Sequence, residues 1–161
     1  MEKAEYKVEP GKQELTATRM FDAPRELVFK AFTDPKLFAQ WWGPRRYTNV
    51  MEKFDVRPGG MWRVVQKGED GDEHAFRGVH HDVVAPERIV ATFEYEGVPG
   101  NVLLQTMTLE AMGARTRLVA HQVFQSVGDR DGMVGSGMKE GADESYERLD
   151  DLLDELKAGD K

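Results

Sequence analysis

The stretch from residue 41 to residue 62 decides the fold: it reads WWGP at 41–44 and RPGG at 57–60, and it ends on Trp62. It contains all three tryptophans of the chain. Indole rings are large and amphipathic, and they usually lie buried or at an interface with the N–H satisfied. Glycine followed by proline ends a helix, whereas RPGG is typical of a tight turn. The tryptophans are therefore predicted to be a lid, an anchor or a plug for a cavity, or a packed hinge that closes one end of a sheet.

Upstream of this stretch, the sequence predicts one strand and two short helices. Residues 14–21 alternate loosely between polar and apolar side chains, as a half-buried strand does. The segment 22–24 reads Asp-Ala-Pro, and a proline in the first turn with an acidic residue beside it favours a helix start. Asp-Pro at 34–35 begins a second short helix, which we expect to end at Trp41 or Trp42.

Downstream of it, the apolar period changes to two, which is typical of strands. The strand-like runs are 48–57, 61–67, 74–84, 88–96, 101–111 and 115–125. The turns between them are short, so neighbouring strands are antiparallel, because parallel strands need a crossover of roughly a dozen residues. The glycine-rich segment 126–137 is predicted to be a loop, and 138–156 to be a long amphipathic helix.

Together these elements predict an α+β fold. A bent antiparallel meander of about seven strands wraps around the long C-terminal helix, with two short helices between strands 1 and 2. Such an arrangement buries the apolar faces of both the sheet and the helix, and the gap between them is the expected site. We expect a single domain over residues 1–161, with its core at about 14–156.

The composition excludes several classes of protein. A formal net charge of −7 argues against nucleic-acid binding, which needs a basic surface to neutralise phosphates. No apolar run approaches the ~20 residues of a membrane span, and the N-terminal residues lack the apolar core of a signal peptide, so cytoplasm is the expected compartment. The absence of cysteine excludes disulfides. Acidic residues dominate from Asp129 onward, either as a docking face for a basic partner or as the solvated side of a helix.

Several motifs carry a family resemblance, and they occur in order and with their spacing intact. They are FDAPRELVF at 21–29, TDP at 33–35, WWGP at 41–44, DVRPGG at 55–60, RGV at 77–79, PERIV at 86–90 and TRL at 116–118, with Leu149 in the final helix. The sequence thereby resembles the START-like (SRPBCC) superfamily, and within it the branch of activators of heat-shock-chaperone ATPase homologues (AHSA-type). The resemblance covers about residues 14–156 and implies a helix-grip fold. It implies no single function, because one fold hosts many.

The resemblance also implies an apolar pocket between the sheet and the terminal helix. Members often carry tryptophan near position 142, where this chain has alanine, so there is either more room at that end or Tyr146 and the Trp41/Trp42 pair fill it. Alternation along each strand then gives the inward-facing residues, and along 74–84 it places His80 and Asp82 on one face. A slip of one residue would move every side chain to the other face.

The candidate ligand-contacting residues follow from this phase, with plain core packing as the alternative for each apolar one. They are Trp41, Trp62, Phe76, His80, Phe93, Tyr95, Met107, Leu109, Ala120, Gln122, Phe124, Met138, Ala142 and Tyr146.

Two polar residues stand out in this set. His80 is a candidate acid, base or hydrogen-bond anchor near neutral pH, or else a structural histidine. Gln122 either orients a ligand by hydrogen bonds or bonds a neighbouring strand or helix. A metal site is not expected, because His80 and His81 point to opposite faces, and His74 lies ~20 Å from His80 at ~3.3 Å per residue. The sequence assigns no cofactor and no catalytic residue, since it lacks a G-x-S-x-G nucleophile elbow and a phosphate-binding loop.

Three hypotheses about function follow. In the first, the protein binds a hydrophobic or aromatic small molecule without covalent chemistry. In the second, it is a cyclase- or dehydratase-like enzyme that moves protons through His80 or Tyr95 in the same cavity. In the third, it is a protein-interaction module, chaperone-linked or homodimeric, that uses the acidic final helix and the surface of Trp41 and Trp42, since aromatic residues are enriched at interfaces.

Overall fold

The computed structural model describes residues 3–159, which form an antiparallel sheet of eight strands and four helices. In chain order the elements are β1 (Glu5–Lys7), β2 (Glu14–Phe21), α1 (Arg25–Thr33), α2 (Pro35–Trp41), β3 (Tyr47–Phe54), β4 (Met61–Gly68), β5 (Glu73–Val84), β6 (Arg88–Tyr95), β7 (Val102–Met112), β8 (Arg115–Val123), α3 (Val127–Gly135) and α4 (Met138–Gly159). The strand order across the sheet is β1-β2-β8-β7-β6-β5-β4-β3. β3 to β8 form a meander, and β2 extends it by pairing with β8. The predicted α+β class, with an antiparallel sheet and a long C-terminal helix, is confirmed.

The strand that the sequence did not predict is β1. Three residues are too few to show an alternation, and β1 is defined by its pairing with β2, where Tyr6 lies opposite Ala17. The Tyr6 hydroxyl also donates to the carboxylate of Asp143 on α4, with 2.8 Å between Oη and Oδ1. β1 therefore connects the edge of the sheet to the long helix.

The two short helices lie where the proline motifs predict them. The side chain of Asp34 caps α2 by accepting hydrogen bonds from the N–H groups of Lys36 (2.9 Å) and Leu37 (3.4 Å). Such a cap stabilises a helix by about 1 kcal/mol. α2 ends at Trp41, and Gly43 then adopts a left-handed conformation with φ +82°, which glycine tolerates because it has no Cβ. WWGP is thus a helix end followed by a tight turn.

The prediction of a loop at 126–137 is wrong over most of its length, because residues 127–135 form α3. Ser126 caps this helix, since its Oγ accepts a hydrogen bond from the N–H of Asp129 (3.0 Å). The Arg130 guanidinium, in a residue only 2% exposed, donates to the backbone carbonyls of Glu9 (2.6 Å) and Glu14 (3.1 Å). These tertiary contacts offset the roughly 1 kcal/mol by which each glycine disfavours a helix.

The phase of β5 departs from the predicted alternation at one point. The register with β6 shifts between His80 and Asp82, so the strand contains a bulge there. Beyond the bulge, Val83 pairs with the inward-facing Ile89, and Asp82 lies on the outer face in a salt bridge with Arg88. The prediction that Asp82 shares a face with His80 is wrong, because one extra residue shifts the alternation by one.

The apolar core lies between the inner face of the sheet and the helices. Its larger cluster contains Phe21, Trp41, Val64 and Leu149, and a smaller cluster of Leu15, Leu103 and Phe124 lies toward α3. Within residues 3–159, no helix has both the length and the apolar character that crossing a membrane would require.

Candidate functional site

A cavity of about 180 Å³ lies between the inner face of the sheet and α4, with α1 and α2 closing one side. For comparison, an apolar cavity of roughly 150 Å³ is large enough to bind benzene. The lining is mostly aromatic and aliphatic, with a few polar side chains. It consists of Phe32, Phe38, Trp41, Trp42, Phe54, Trp62, His80, Ile89, Ala91, Thr92, Phe93, Gln105, Met107, Gln122, Ala142, Ser145 and Tyr146.

All three tryptophans line this cavity, and the ring of Trp42 stands at the centre of the aromatic wall. It stacks on Phe38 at 5.5 Å between ring centroids and meets Trp62 edge-on at 6.2 Å. Trp41 is 2% exposed, and its indole N–H donates to the backbone carbonyl of Ala31 (2.9 Å). The pair is therefore a packed wall of the cavity.

Trp62 is positioned by the absence of a side chain on the neighbouring strand. Its indole N–H donates to the backbone carbonyl of Thr92 (3.1 Å) across β5. Gly78 lies beneath the ring, and a Cβ at that position would overlap both the indole nitrogen and the Thr92 carbonyl oxygen. Only glycine fits at this position, so RGV at 77–79 contributes to the site by leaving space for the indole.

The first half of α4 holds the WWGP turn in place. The N–H of Gly43 donates to Ser145 Oγ (2.8 Å). The Arg148 guanidinium donates to the backbone carbonyls of Gly43 (2.8 Å) and Gln40 (2.8 Å), among others in this turn. Ser145 and Arg148 are thus positioning residues that the sequence reasoning missed, and no local pattern in the helix indicates what they bond.

His80 is the titratable group on the sheet side of the cavity, and its residue is 5% exposed. Burial lowers the pKa of its imidazole, and the backbone carbonyls of Gly60 and Asp55 offset part of that effect. The ring is therefore neutral at neutral pH. Its Nδ1 lies 3.3 Å from the Gly60 carbonyl oxygen, and because a carbonyl only accepts, this hydrogen bond forms when Nδ1 carries the proton.

Gln122 provides the unsatisfied polar atom of the wall. Its Oε1 is buried and has no hydrogen-bond partner among residues 3–159. Leaving a buried acceptor unpaired costs about 1–3 kcal/mol. The amide lies on β8 directly opposite Gln105 of β7, which lines the same cavity. The cavity thus combines a largely apolar wall with an amide side chain whose oxygen has no partner among residues 3–159.

Comparison with known proteins shows the family to which this chain belongs. A family profile described as "Activator of Hsp90 ATPase homolog 1-like protein" (AHSA1) matches residues 22–154, which include every residue that lines the cavity. The chain belongs to the AHSA1 family. This confirms the AHSA-type branch that the sequence motifs indicate.

Solved structures share the AHSA1 fold along most of their length. An NMR structure of a protein from Arthrobacter aurescens is 25% identical, with a TM-score of 0.86 over 94% of this chain and 91% of that chain. A crystal structure of a protein from Rhodobacter sphaeroides is 27% identical, with a TM-score of 0.84 over 92% of this chain and 98% of that chain. An AHSA1 protein from Silicibacter pomeroyi shares the fold at 22% identity, with a TM-score of 0.73 over 87% of this chain and 96% of that chain. A comparison with curated proteins finds no match.

In this AHSA1-family chain, the cavity brings together more than half of the residues predicted from the sequence as ligand contacts. Those that line it are Trp41, Trp62, His80, Phe93, Met107, Gln122, Ala142 and Tyr146. Ala142 replaces the tryptophan that the resemblance leads one to expect and leaves open space on the helix side of the cavity. Burial raises the pKa of the Tyr146 hydroxyl to about 12, so that hydroxyl is protonated at neutral pH.

The other predicted residues face inward but do not line this cavity. Leu109 and Ala120 are buried in the sheet, and Phe76 packs against the ring of Trp42 at 5.1 Å. Met138 packs against the smaller core cluster. The physical reason is length: each strand extends beyond the cavity, so an inward orientation alone does not place a residue in it.

Tyr95 and Phe124, the remaining predicted residues, line a second cavity of about 400 Å³ next to α3. The Tyr95 hydroxyl lies 2.6 Å from Nδ1 of His74, whose Nε2 lies 3.0 Å from Oδ2 of Asp72. Tyr95 and His80 therefore belong to different cavities. Among residues 3–159, no group of three or more histidine, aspartate or glutamate side chains could hold a metal ion.

Several residues that line the first cavity are not among the predicted ligand contacts. Ile89, Ala91 and Gln105 lie on the inward faces that the alternation predicts for their strands, but the face alone does not tell which inward residues reach the cavity. Phe32 and Phe38 belong to the apolar faces of α1 and α2. Their contribution depends on how those helices dock onto the sheet, which periodicity within a helix does not indicate.

Proposed function

We propose that this AHSA1-family protein binds a small molecule with an aromatic body and one hydrogen-bond donor, in the cavity between the sheet and α4. The observation that carries the proposal is the unpaired Oε1 of Gln122 on an otherwise largely apolar wall. Ligand sites generally combine such apolar walls with a few placed polar groups. The volume of about 180 Å³ is close to that of cavities that accept a single aromatic ring.

An enzymatic role of the cyclase or dehydratase kind is less well supported. It needs two proton-transfer groups on one cavity, and Tyr95 lies in the other one. His80 and Tyr146 share the cavity, but burial lowers the pKa of His80 and raises that of Tyr146 to about 12. Burial thus makes the histidine a weaker base and the tyrosine a weaker acid, so the pair is poorly matched to proton transfer near pH 7.

A docking role for the acidic helix and the Trp41/Trp42 pair is likewise less well supported. Trp41 is buried, and carboxylates of α4 already have partners within the chain. Asp150 pairs with the buried Arg19 (2.6 Å), and Asp151 pairs with Arg45 (2.9 Å). These contacts support a role for the carboxylates in attaching α4 to the rest of the fold.

The test uses the tryptophans, because all three line the cavity and each indole N–H gives its own NMR signal. The protein is titrated with phenol and with toluene, which differ in the hydroxyl donor. We expect saturable shifts of the indole signals with both probes. We also expect phenol to bind about threefold to tenfold more tightly, the range that corresponds to one hydrogen bond.

The matched variants are Gln122→Leu, which removes the unpaired acceptor, and Gln40→Leu, which changes an exposed amide on α2. Gln122→Leu should abolish the advantage of phenol over toluene, and Gln40→Leu should preserve it. If neither probe shifts the indole signals, the cavity takes no aromatic ligand of this size and the proposal is wrong. Equal binding of the two probes to the unaltered protein would contradict the role of that oxygen.

A further inference from the structure

The cavity of about 180 Å³ and the cavity of about 400 Å³ lie next to each other on one face of the sheet. We call them the inner chamber and the outer chamber. Along β6, β7 and β8, the last extended by the residue that follows it, one residue lines the inner chamber and the residue two positions away lines the outer chamber. These pairs are Phe93 and Tyr95, Gln105 and Leu103, and Gln122 and Phe124. Two positions along a strand correspond to ~7 Å, so the chambers are separated by the thickness of one layer of side chains.

That layer is made of apolar side chains. Leu103 and Phe124 belong to the smaller core cluster, and Phe93 packs against both this cluster and the larger one. From the helix side, Met138 packs on the same cluster, one turn before Ala142 of the inner chamber. Methionine is unbranched and adapts its shape to its neighbours more readily than other apolar residues. Side chains of this kind can change rotamer and make room for the apolar part of a ligand that extends from one chamber into the other.

The outer chamber is kept open by glycines. Gly128 and Gly132 lie one turn apart on α3 and line the chamber, and a Cβ built at Gly132 meets no atom within 4 Å. Gly132 is also exposed, so the chamber reaches the surface beside α3. Most of the other lining side chains are aliphatic or aromatic, including Val98, Val102 and Met133, and the polar ones are Asn101, Asp129 and Ser136.

We propose that the two chambers form one site for an elongated amphiphile, with a hydroxyl-bearing aromatic ring in the inner chamber and an aliphatic tail in the outer chamber. The proposal rests on the proposed function, because it takes the ring-binding inner chamber as its starting point. The inner chamber alone is smaller than the roughly 300–1,000 Å³ of sites for drug-sized ligands, whereas the two chambers together fall within that range. The ligand class is thus a phenol that carries an unbranched alkyl chain.

The experiment compares phenol with 4-ethyl-, 4-butyl- and 4-hexylphenol, using the shifts of the tryptophan indole N–H signals to obtain each Kd. If the tail enters the outer chamber, each added methylene should tighten binding by up to about fourfold, the factor for burying one CH₂. An affinity that stays flat or falls beyond 4-ethylphenol would overturn the proposal. Absence of phenol binding would instead remove the proposed function, and this proposal with it.

Two variants of α3 locate the tail. Gly132→Leu places a side chain in the outer chamber, whereas Gly135→Leu makes the same change on the same helix at a position that lines neither chamber. We expect Gly132→Leu to weaken 4-hexylphenol until it binds no more tightly than 4-ethylphenol, with the Kd of phenol unchanged. Gly135→Leu should leave the whole series as in the unaltered protein. Tight binding of 4-hexylphenol to the Gly132→Leu variant would show that the tail lies elsewhere.

Discussion

The two ends of the space between the sheet and α4 are built in opposite ways. At the tryptophan end, the WWGP turn is attached to α4 by Ser145 and Arg148, and the ring of Trp42 packs edge-on against that of Trp62. At the other end, the short helix α3 contains glycines at its chamber wall, and it is attached by the hydrogen bonds of Arg130 and by packing of Met133 and Val134 on the smaller core cluster. The difference indicates a tightly packed end that fixes the inner chamber and a lightly packed end, through which the proposed ligand would enter.

The largest expected effect comes from the tightly packed end. Trp41→Ala removes a buried indole that packs on Phe32 and Phe38, and it should lower the free energy of unfolding by about 3–5 kcal/mol. Trp41→Phe keeps a ring but loses the hydrogen bond to the Ala31 carbonyl, so it should cost much less. Urea denaturation of the three proteins measures both values. A cost below about 1 kcal/mol for Trp41→Ala would mean that this end is not the tightly packed one.

The next effect tests how α3 is attached. Arg130→Met keeps the apolar stem of the side chain but leaves the carbonyls of Glu9 and Glu14 without this donor, and it should cost about 1–3 kcal/mol. Amide exchange of residues 127–135 should accelerate more than that of α2. The control is Arg45→Met, because Arg45 and its partner Asp151 are both more than half exposed, and such pairs contribute about 0–1 kcal/mol. Equal effects of the two variants would contradict an anchoring role for Arg130.

A glycine-to-alanine change should have opposite signs at the two ends. Gly132→Ala adds a methyl group that meets no atom within 4 Å in a helix, so it should stabilise the protein by about 0.4–1 kcal/mol. Gly43→Ala should destabilise it by at least about 1–2 kcal/mol, because φ is +82° and the Cβ would overlap the Gln66 amide. Thermal unfolding of both variants provides the measurement. The same sign for both would remove the proposed contrast between the ends.

The smallest effect is the pH dependence of the unfolding free energy that comes from His80. Burial lowers the pKa of His80 in the folded protein below its ordinary value of 6.5, so below pH 6.5 the unfolded chain binds the proton more readily. Stability from the neutral ring is therefore present above pH 6.5 and is lost as the pH falls through the folded pKa. The slope from this one group cannot exceed about 1.4 kcal/mol per pH unit. We expect His80→Gln to flatten the decline in unfolding free energy between pH 7 and pH 5, and an unchanged slope would contradict burial of the ring.

The strand phase of β6, β7 and β8 could be predicted from the sequence because their alternation is uninterrupted from turn to turn. The bulge after His80 could not, since it depends on pairing with β6 and leaves no mark in the alternation of β5 itself. β1 was missed for a similar reason, because its three residues become a strand only through β2.

The residues of the candidate site were predictable where they depend on the local sequence pattern. They were not predictable where they depend on how the helices pack against the sheet. Ala142 and Gln122 were found from the helix stripe and the strand phase. α3 was missed because its stabilising contacts come from Arg130 and residues more than a hundred positions away. The division of the inward residues between two chambers was also invisible, since periodicity gives the face of a residue but not its position along the cavity.

The pairing of β2 with β8 determines when this protein can fold during its synthesis. Residues 14–21 have their partner at 115–123, and Tyr6 bonds to Asp143, so the ribosome makes the N-terminal strands long before their neighbours exist. Until β8 and α4 have been translated, Phe32, Phe38 and Trp41 have no complete core to enter. Nascent chains with such exposed aromatic residues are prone to aggregate, and a prematurely terminated product that lacks α4 would remain in that state.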